Sequence, residues 1–241
     1  MILRLAWIEW RRLMRTPLAW IMLAVALCLL SWQFLGTLEA FTGMQPEARV
    51  LGLSHHLGLQ LFGLAAVVLL ILTPILTMRS FSELFRSGAY SLFSSAPLSV
   101  TSILLGKFLG LLLFLLLFAA MPGALSVSLA IGAPIDLGLI AAASLGLLLL
   151  AGLFLAIGLY TSALSENPGV AAAGAYGLLL LVSLLDQHTE RASFLHWLAW
   201  PSHYLNLQIG LVSSSDLLYF LILTALFLGL TLYRLDRRRG G

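Results

Sequence analysis

Long runs of apolar residues, separated by short polar stretches, divide the chain into six segments. A helix that crosses a bilayer needs roughly 20 mostly apolar residues, because its backbone amides must find their hydrogen bonds within the segment. Since each run falls near this length, the pattern predicts six transmembrane helices. The predicted spans cover residues 18–38, 57–78, 102–122, 137–162, 168–185 and 217–234.

A different pattern precedes the first span. At 100° per residue, the apolar side chains of residues 1–16 fall on one stripe of a helix and the arginines gather on another. The stripes consist of Leu3, Trp7, Trp10 and Met14, and of Arg4, Arg11, Arg12 and Arg15. This pattern predicts an interfacial helix on the membrane lipid, with its arginines at anionic headgroups. A simple membrane anchor and a grip on a partner protein both fit this prediction.

The polar stretch between the second and third spans also has helical periodicity. Phe81, Leu84, Phe85 and Leu92 recur at spacings of three, four and seven, which predicts an amphipathic helix across the mouth of the bundle. On such a helix Arg79 and Glu83 are four apart and can form an ion pair. The alternative is an ordinary connecting loop.

The composition supports a lipid environment. Of 241 residues, 61% are hydrophobic and 10% are charged, and one soluble core cannot bury so much apolar surface. The sequence therefore predicts an all-α integral membrane protein with a single transmembrane domain over residues 1–241. Cys28 is the only cysteine, which excludes an intramolecular disulfide or a thiolate metal cluster.

The basic residues predict the orientation. Six spans place both termini on one side of the membrane, together with the loops at 79–101 and 163–167. All Lys and Arg residues except Arg49 and Arg191 fall on this side. The positive-inside rule makes this side cytoplasmic, in a bacterial inner membrane. Because the cations sit at membrane boundaries, the net charge of +3 does not indicate a nucleic-acid partner.

Several kinds of chemistry are disfavoured. Gly106-Lys107 lacks the rest of a phosphate-binding loop, since Thr101 and Phe108 occupy the positions that need glycine and Ser or Thr. Lys107 instead fits a charge at the inner membrane boundary, with its stem snorkelling. No charged residue falls well inside a predicted span, which disfavours proton relays and ion-coupled transport. We therefore expect no enzyme activity and no cofactor in this chain.

Two features leave alternatives open. The histidines fall on the opposite side from most arginines, namely at His55, His56, His188, His196 and His203. They fit solvated interfacial residues best, but they also suit an exporter that handles haem or copper. The small residues Gly169, Ala173 and Gly177 recur every four positions, so they can pack helices within one subunit or form a seam between two subunits.

Three stretches of the sequence carry a family resemblance. They are Pro74–Arg79 with Glu83, Arg86, Gly88, Ala96–Ser99 and Gly106–Phe108; Gly158–Asn167; and, more loosely, Ser202–Tyr204, Gly210–Leu211 and Asp216–Phe220. They resemble type 2 ATP-binding-cassette (ABC-2) exporter permeases, most closely the permease subunit of the gliding-motility transporter. The sequence departs from the family pattern at Ala89-Tyr90-Ser91, where a threonine and a second acidic residue are usual, and at Pro168, where glutamine is common.

The resemblance implies a set of partners. It implies two membrane subunits, namely this chain and either a second copy of it or a related subunit. It also implies two ATPase subunits, which hold ATP and magnesium on the inner face. A partner with a periplasmic domain is compatible with it. The helix from Glu83 to Leu92 would then be a cytoplasmic coupling helix that fits a cleft on the ATPase. The implied coupling interface comprises Arg79, Glu83, Phe85, Arg86, Gly88, Tyr90, Pro97 and Glu166.

The functional expectation follows from this resemblance. We expect a permease subunit that couples ATP hydrolysis by its partner to export, or to mechanical transmission across the inner membrane. The alternatives are the haem- or copper-handling exporter and a membrane scaffold that anchors a partner without moving cargo.

Overall fold

The computed structural model describes residues 1–44, 52–88, 99–188 and 197–239, with residues 185–188 and 239 described by their backbone alone. These residues form nine α-helices and a short 3₁₀ turn at Leu129–Ile131, and no strand occurs among them. The helices are α1 (Ile2–Met14), α2 (Pro17–Gly43), α3 (Gly52–Thr77), α4 (Ser82–Arg86), α5 (Val100–Ser128), α6 (Leu137–Leu164), α7 (Pro168–His188), α8 (Trp200–Gln208) and α9 (Ser214–Arg239).

Five helices are long and apolar enough to cross a membrane, namely α2, α3, α5, α6 and α9. They confirm the prediction of an all-helical, multi-pass membrane protein. The remaining predicted span, 168–185, coincides with α7. Its apolar stretch, Pro168–Leu184, is shorter than the stretches of the other five. A sixth crossing therefore stays a prediction.

The helices extend beyond the predicted spans because a helix need not end where hydrophobicity falls. Pro122, at the predicted end of the third span, lies inside α5, which continues to Ser128. Proline removes one backbone donor and so leaves the carbonyl four residues earlier, that of Phe118, without its helical hydrogen bond. The helix continues past it, and the Ser126 hydroxyl donates to the Pro122 carbonyl at 2.8 Å within the same helix.

Helix α6 is the central element of the bundle. It packs against α3, α5, α7, α8 and α9, and 72% of its most apolar stretch is buried, compared with 33% for α2 and 28% for α9. The outer helices thus leave much apolar surface exposed, as a lipid environment allows. A displacement of α6 would disturb contacts with all of its neighbours.

Helix α1 packs along the first half of α5. Two glycines on α5 make the contact close: a Cβ atom at Gly106 would lie 2.6 Å from Leu5 Cβ, and one at Gly110 would lie 2.7 Å from the Ala6 carbonyl oxygen. Ala6 is buried, whereas Arg4, Arg11, Arg12 and Arg15 are exposed. The first helix therefore packs on a predicted span through Leu5 and Ala6, whereas Leu3 and Trp7 of the predicted apolar stripe stay exposed.

One end of the bundle collects the positive charge. The elements that meet there are α1 with its C-cap Arg15, α4 with the turn before it, the first turns of α5, the α6–α7 connection and the end of α9, and we call this the basic end. All Lys and Arg residues among the described residues lie on these elements. Arg49 and Arg191 fall outside the described residues.

Candidate functional site

The short helix α4 lies at the basic end, directly after α3. Helix α3 ends at Thr77, and a turn follows over Met78–Phe81, where Met78 N donates to the Pro74 carbonyl and Ser80 N to the Thr77 carbonyl. Helix α4 then spans five residues. A helix this short has too few internal hydrogen bonds to be stable alone, so its position depends on its neighbours.

The hydroxyl of Ser162 holds the start of α4 against the end of α6. Ser162 Oγ accepts hydrogen bonds from the backbone amides of Phe81 at 3.0 Å and Ser82 at 3.3 Å, and it donates to the Met78 carbonyl at 3.2 Å. Ser162 and Ser82 are fully buried and Phe81 is nearly so. One side chain from the central helix thus satisfies amides that a helix start normally leaves unpaired.

We expect Ser162→Ala to destabilise the protein by about 2 kcal/mol, because two buried amides lose their acceptor. Ser162→Thr keeps the hydroxyl and should lose less. Thr161→Val is the matched control, since the Thr161 hydroxyl donates only to the Gly158 carbonyl of its own helix. Thermal unfolding in detergent, followed by tryptophan fluorescence, measures all three. Equal losses for Ser162→Ala and Thr161→Val would contradict a special role of Ser162.

Near its C-terminus, α4 contacts the end of α9. The Arg238 guanidinium lies 4.2 Å from the centroid of the Phe85 ring, and its Nη1 lies 3.3 Å from Glu166 Oε1. Arg238 therefore connects α4, the α6–α7 connection and α9. The structure brings Phe85 and Glu166 to the same cation, although the sequence reasoning had not assigned Arg238 to this site.

A buried ion pair anchors α1 to α5 beside α4. Lys107 Nζ lies 2.9 Å from Glu9 Oε1, and the two side chains are only 12% and 17% exposed. The same ammonium lies 5.8 Å from the centroid of the Phe81 ring. Lys107 thus does not snorkel to solvent as the sequence suggested, since Glu9 neutralises its charge within the bundle.

A cleft of about 460 Å³ separates α1 from the α3–α4 turn. Its charged lining comprises Glu9, Arg12, Arg79 and Glu83. Arg79 lies before α4 and not on it, so the helical i,i+4 pairing predicted for Arg79 and Glu83 does not apply; both residues line the cleft instead. Arg79 and Arg86 are exposed and Glu83 is half-buried, which leaves them accessible to a partner.

The described part of the predicted coupling helix ends soon after α4. Gly88 is exposed and has a φ of +68°, a left-handed conformation that favours glycine. The chain can therefore turn there. Tyr90, Leu92 and Pro97 lie outside the described residues, and so does most of the predicted helix from Glu83 to Leu92.

The small-residue stripe on α7 faces away from the bundle. Gly169, Ala173 and Gly177 are exposed, whereas Ala171, Ala175 and Leu179 of the same helix are buried. A Cβ atom placed at Gly177 would have no neighbour within 4 Å among the described residues outside its own helix backbone. Among the described residues, the stripe therefore does not pack helices together within this chain.

A polar network lies at the end of the bundle opposite the basic end. His203 Nδ1 lies 2.6 Å from Asp216 Oδ1, and His203 Nε2 lies 2.9 Å from the Trp197 carbonyl oxygen. Asn206 Nδ2 donates to Asp216 Oδ2 at 3.1 Å, and the His203 ring stacks on Tyr219 with centroids 4.1 Å apart. His203 and Asp216 are both buried, so the prediction of a solvated interfacial histidine is wrong for His203.

The tyrosine on α8 ties this network to α3. The Tyr204 hydroxyl donates to the Phe62 carbonyl at 3.0 Å. Burial raises the pKa of Tyr204 above its ordinary value, so its hydroxyl stays protonated and keeps its donor. His55 and His56 lie on α3 with their rings nearly perpendicular, at an interplanar angle of 86°. Within the described residues no group of three or more His, Cys, Asp and Glu side chains could hold a metal ion.

The sequence matches no protein-family model and none of the curated proteins. The functional proposal therefore rests on the geometry of the basic end, and the family resemblance stays a prediction.

Proposed function

We propose that this chain is the membrane permease subunit of an ATP-binding-cassette transporter. In this proposal the basic end faces the cytoplasm of a bacterial cell, because an excess of Lys and Arg marks the cytoplasmic side of inner-membrane proteins. Partner ATPase subunits bind there and carry ATP and magnesium, while a second copy of this chain or a related subunit completes the membrane part. The permease converts the closure of its partner into movement of the bundle.

The attachment of α4 is the observation that best supports this function. The Ser162 hydroxyl ties the start of α4 to the central helix α6, and Arg238 of α9 lies over the Phe85 ring. The Lys107 ammonium of α5 lies near the ring of Phe81, which precedes α4, and it pairs with Glu9 of α1. A force applied to α4 thus reaches α6, α9 and α5 through single contacts, and α1 through Lys107.

The exposed side of α4 can receive such a force. Glu83 and Arg86 are accessible at the basic end, and neither is used in an ion pair with a described residue. A partner can move the bundle only if it binds one arrangement more tightly than the other. Contacts to these two residues could supply that difference in affinity.

We expect Glu83→Ala and Arg86→Ala to weaken docking of the ATPase by about tenfold each, as for charged residues near the centre of an interface. Membrane insertion should be unaffected, because both side chains lie outside the apolar core. The measurement is the affinity of the purified permease for its ATPase, together with nucleotide hydrolysis by the reconstituted complex.

Glu39→Ala is the matched control for Glu83→Ala. Glu39 is an exposed glutamate near the far end of α2, so its loss should leave docking unchanged. Unaltered docking and hydrolysis in the Glu83 and Arg86 variants would reject the coupling role of α4. Isolation of the chain as a stable monomer, with no ATPase bound in mild detergent, would favour the scaffold instead.

The structure gives no support to haem or copper handling through His203. Both ring nitrogens of His203 already face protein oxygens, one on Asp216 and one on Trp197. A metal ligand needs a nitrogen with a free lone pair, so this histidine would first have to leave its network.

A further inference from the structure

An apolar groove lies between α1 and α5 at the basic end. We call it the Trp7 groove; its volume is about 480 Å³. Its lining is almost entirely apolar and includes Leu3, Trp7, Leu109, Leu113, Leu116 and Leu148. The size falls within the roughly 300–1,000 Å³ of small-molecule sites, and the lining offers a ligand almost no polar partner.

The groove opens to the outside of the bundle. Trp7, Leu113 and Leu116 are 46%, 41% and 44% exposed. Because α5 has the length and composition of a membrane span, we expect the groove to face the lipid where α1 packs on α5. The floor of the groove is fixed, since Ala6 is buried against Gly106 and Gly110.

Positive charge flanks the groove on one side. The Arg11 guanidinium lies 5.0 Å from the centroid of the Trp7 ring. Arg4 precedes Trp7 by three residues and Arg11 follows it by four, so helical geometry places both arginines on the Trp7 side of α1. Arg12 instead lines the cleft on the opposite side of this helix.

We propose that the Trp7 groove binds one acyl chain of an anionic membrane phospholipid, whose phosphate is held by Arg4 and Arg11. The apolar lining suits a hydrocarbon chain, and basic sites beside transmembrane helices bind anionic headgroups. A second copy of this chain fits the groove less well, because a symmetric contact through it would bring the arginines of both copies together.

The test is native mass spectrometry of the full chain after reconstitution in nanodiscs that contain equal amounts of phosphatidylglycerol and phosphatidylcholine. We expect the wild type to retain phosphatidylglycerol in preference to phosphatidylcholine. Arg4→Gln with Arg11→Gln should lower this retention by roughly twentyfold, about fivefold for each arginine. Arg12→Gln is the matched control and should retain the lipid.

A second variant tests the acyl chain separately from the charge. Leu116→Trp adds a larger side chain to the groove and should displace the bound lipid while both arginines remain. Equal retention of the two phospholipids by the wild type would overturn the proposal, and so would equal losses in the Arg12→Gln and the double variant. A dimer that Leu116→Trp dissociates without a change in bound lipid would assign the groove to a second copy. None of these outcomes depends on an ATPase partner.

Discussion

Replacing Gly158 with alanine is expected to destabilise the protein by about 3 kcal/mol, at the upper end of the usual cost of overpacking. Gly158 lies on the central helix α6, where α3 approaches most closely. A Cβ atom there would lie 2.2 Å from Thr77 Oγ1, 2.9 Å from Thr77 Cβ and 3.0 Å from Thr77 Cγ2. All three distances are too short for van der Waals contact, so the two helices would have to separate.

The clash cannot be relieved by a simple rotation of Thr77. Its hydroxyl donates to the Thr73 carbonyl at 2.9 Å, its side chain is fully buried, and its Cβ is itself too close. Thr77→Gly removes all three clashing atoms. The double variant Gly158→Ala/Thr77→Gly should therefore be more stable than Gly158→Ala alone, despite the cost of about 1 kcal/mol for glycine in a helix.

Gly152→Ala is the matched control, because it makes the same change on the same helix. A Cβ atom at Gly152 would meet only Phe108 Cζ at 4.0 Å, which is an ordinary contact. We expect its unfolding temperature to be unchanged or higher, and that of Gly158→Ala to fall by about 6–12 °C. Thermal unfolding in detergent gives both values. Similar temperatures for the two variants would show that α3 and α6 are not held as closely as described.

The sequence predicted the transmembrane helices because their signal is local. A run of some 20 apolar residues needs no information about its neighbours, and five of the predicted spans fall inside α2, α3, α5, α6 and α9, apart from residue 78, which lies one position beyond α3. The ends differ because apolar runs mark the hydrocarbon core. Helices continue as far as backbone hydrogen bonds and caps allow, as α6 does from its cap at Asp136 to Leu164.

The contacts that fix α4 could not be predicted in this way. Ser162 lies about 80 residues from the amides that it caps, and Arg238 lies 72 residues from Glu166. Nothing in the local pattern identifies such partners. The Glu9–Lys107 pair left a clearer signal, since Lys107 is the only lysine and Glu9 the only acidic residue in the first 16 positions. Two isolated opposite charges beside apolar helices favour a pair.

The histidine prediction failed for a related reason. Composition places His203 near a membrane boundary, where a solvated ring is the ordinary expectation. The burial of His203 depends on the contact between α8 and α9, which brings Asp216 and the Tyr219 ring against it. Thirteen residues separate His203 from Asp216, so neither helical nor strand periodicity relates them.

Replacing Asp216 with alanine is expected to destabilise the protein by about 2–4 kcal/mol, because two polar groups lose a buried acceptor. Asp216 is 2% exposed, and its two oxygens serve His203 and Asn206. Without the carboxylate, His203 Nδ1 and Asn206 Nδ2 would lose their partner. The His203 ring is itself buried, so water cannot readily replace that partner.

Asp136→Ala separates this effect from that of a helix cap. Asp136 is exposed and precedes α6, and its Oδ1 accepts from the Gly138 amide at 2.9 Å and the Leu139 amide at 3.2 Å. Both aspartates lie at helix starts near the same end of the bundle, so both lose a favourable helix-dipole contact. Loss of the Asp136 cap should cost only about 1 kcal/mol.

A double-mutant cycle with His203→Ala completes the test. Once the ring is gone, the loss of Asp216 no longer leaves His203 Nδ1 without its partner, so the double variant should be more stable than the sum of the single losses indicates, by about 1–2 kcal/mol. Thermal unfolding in detergent measures all four proteins. Additive losses, or a cost for Asp216→Ala no larger than for Asp136→Ala, would show that the two side chains do not stabilise each other. The contact between α8 and α9 would then depend on apolar packing, such as the stacking of His203 on Tyr219.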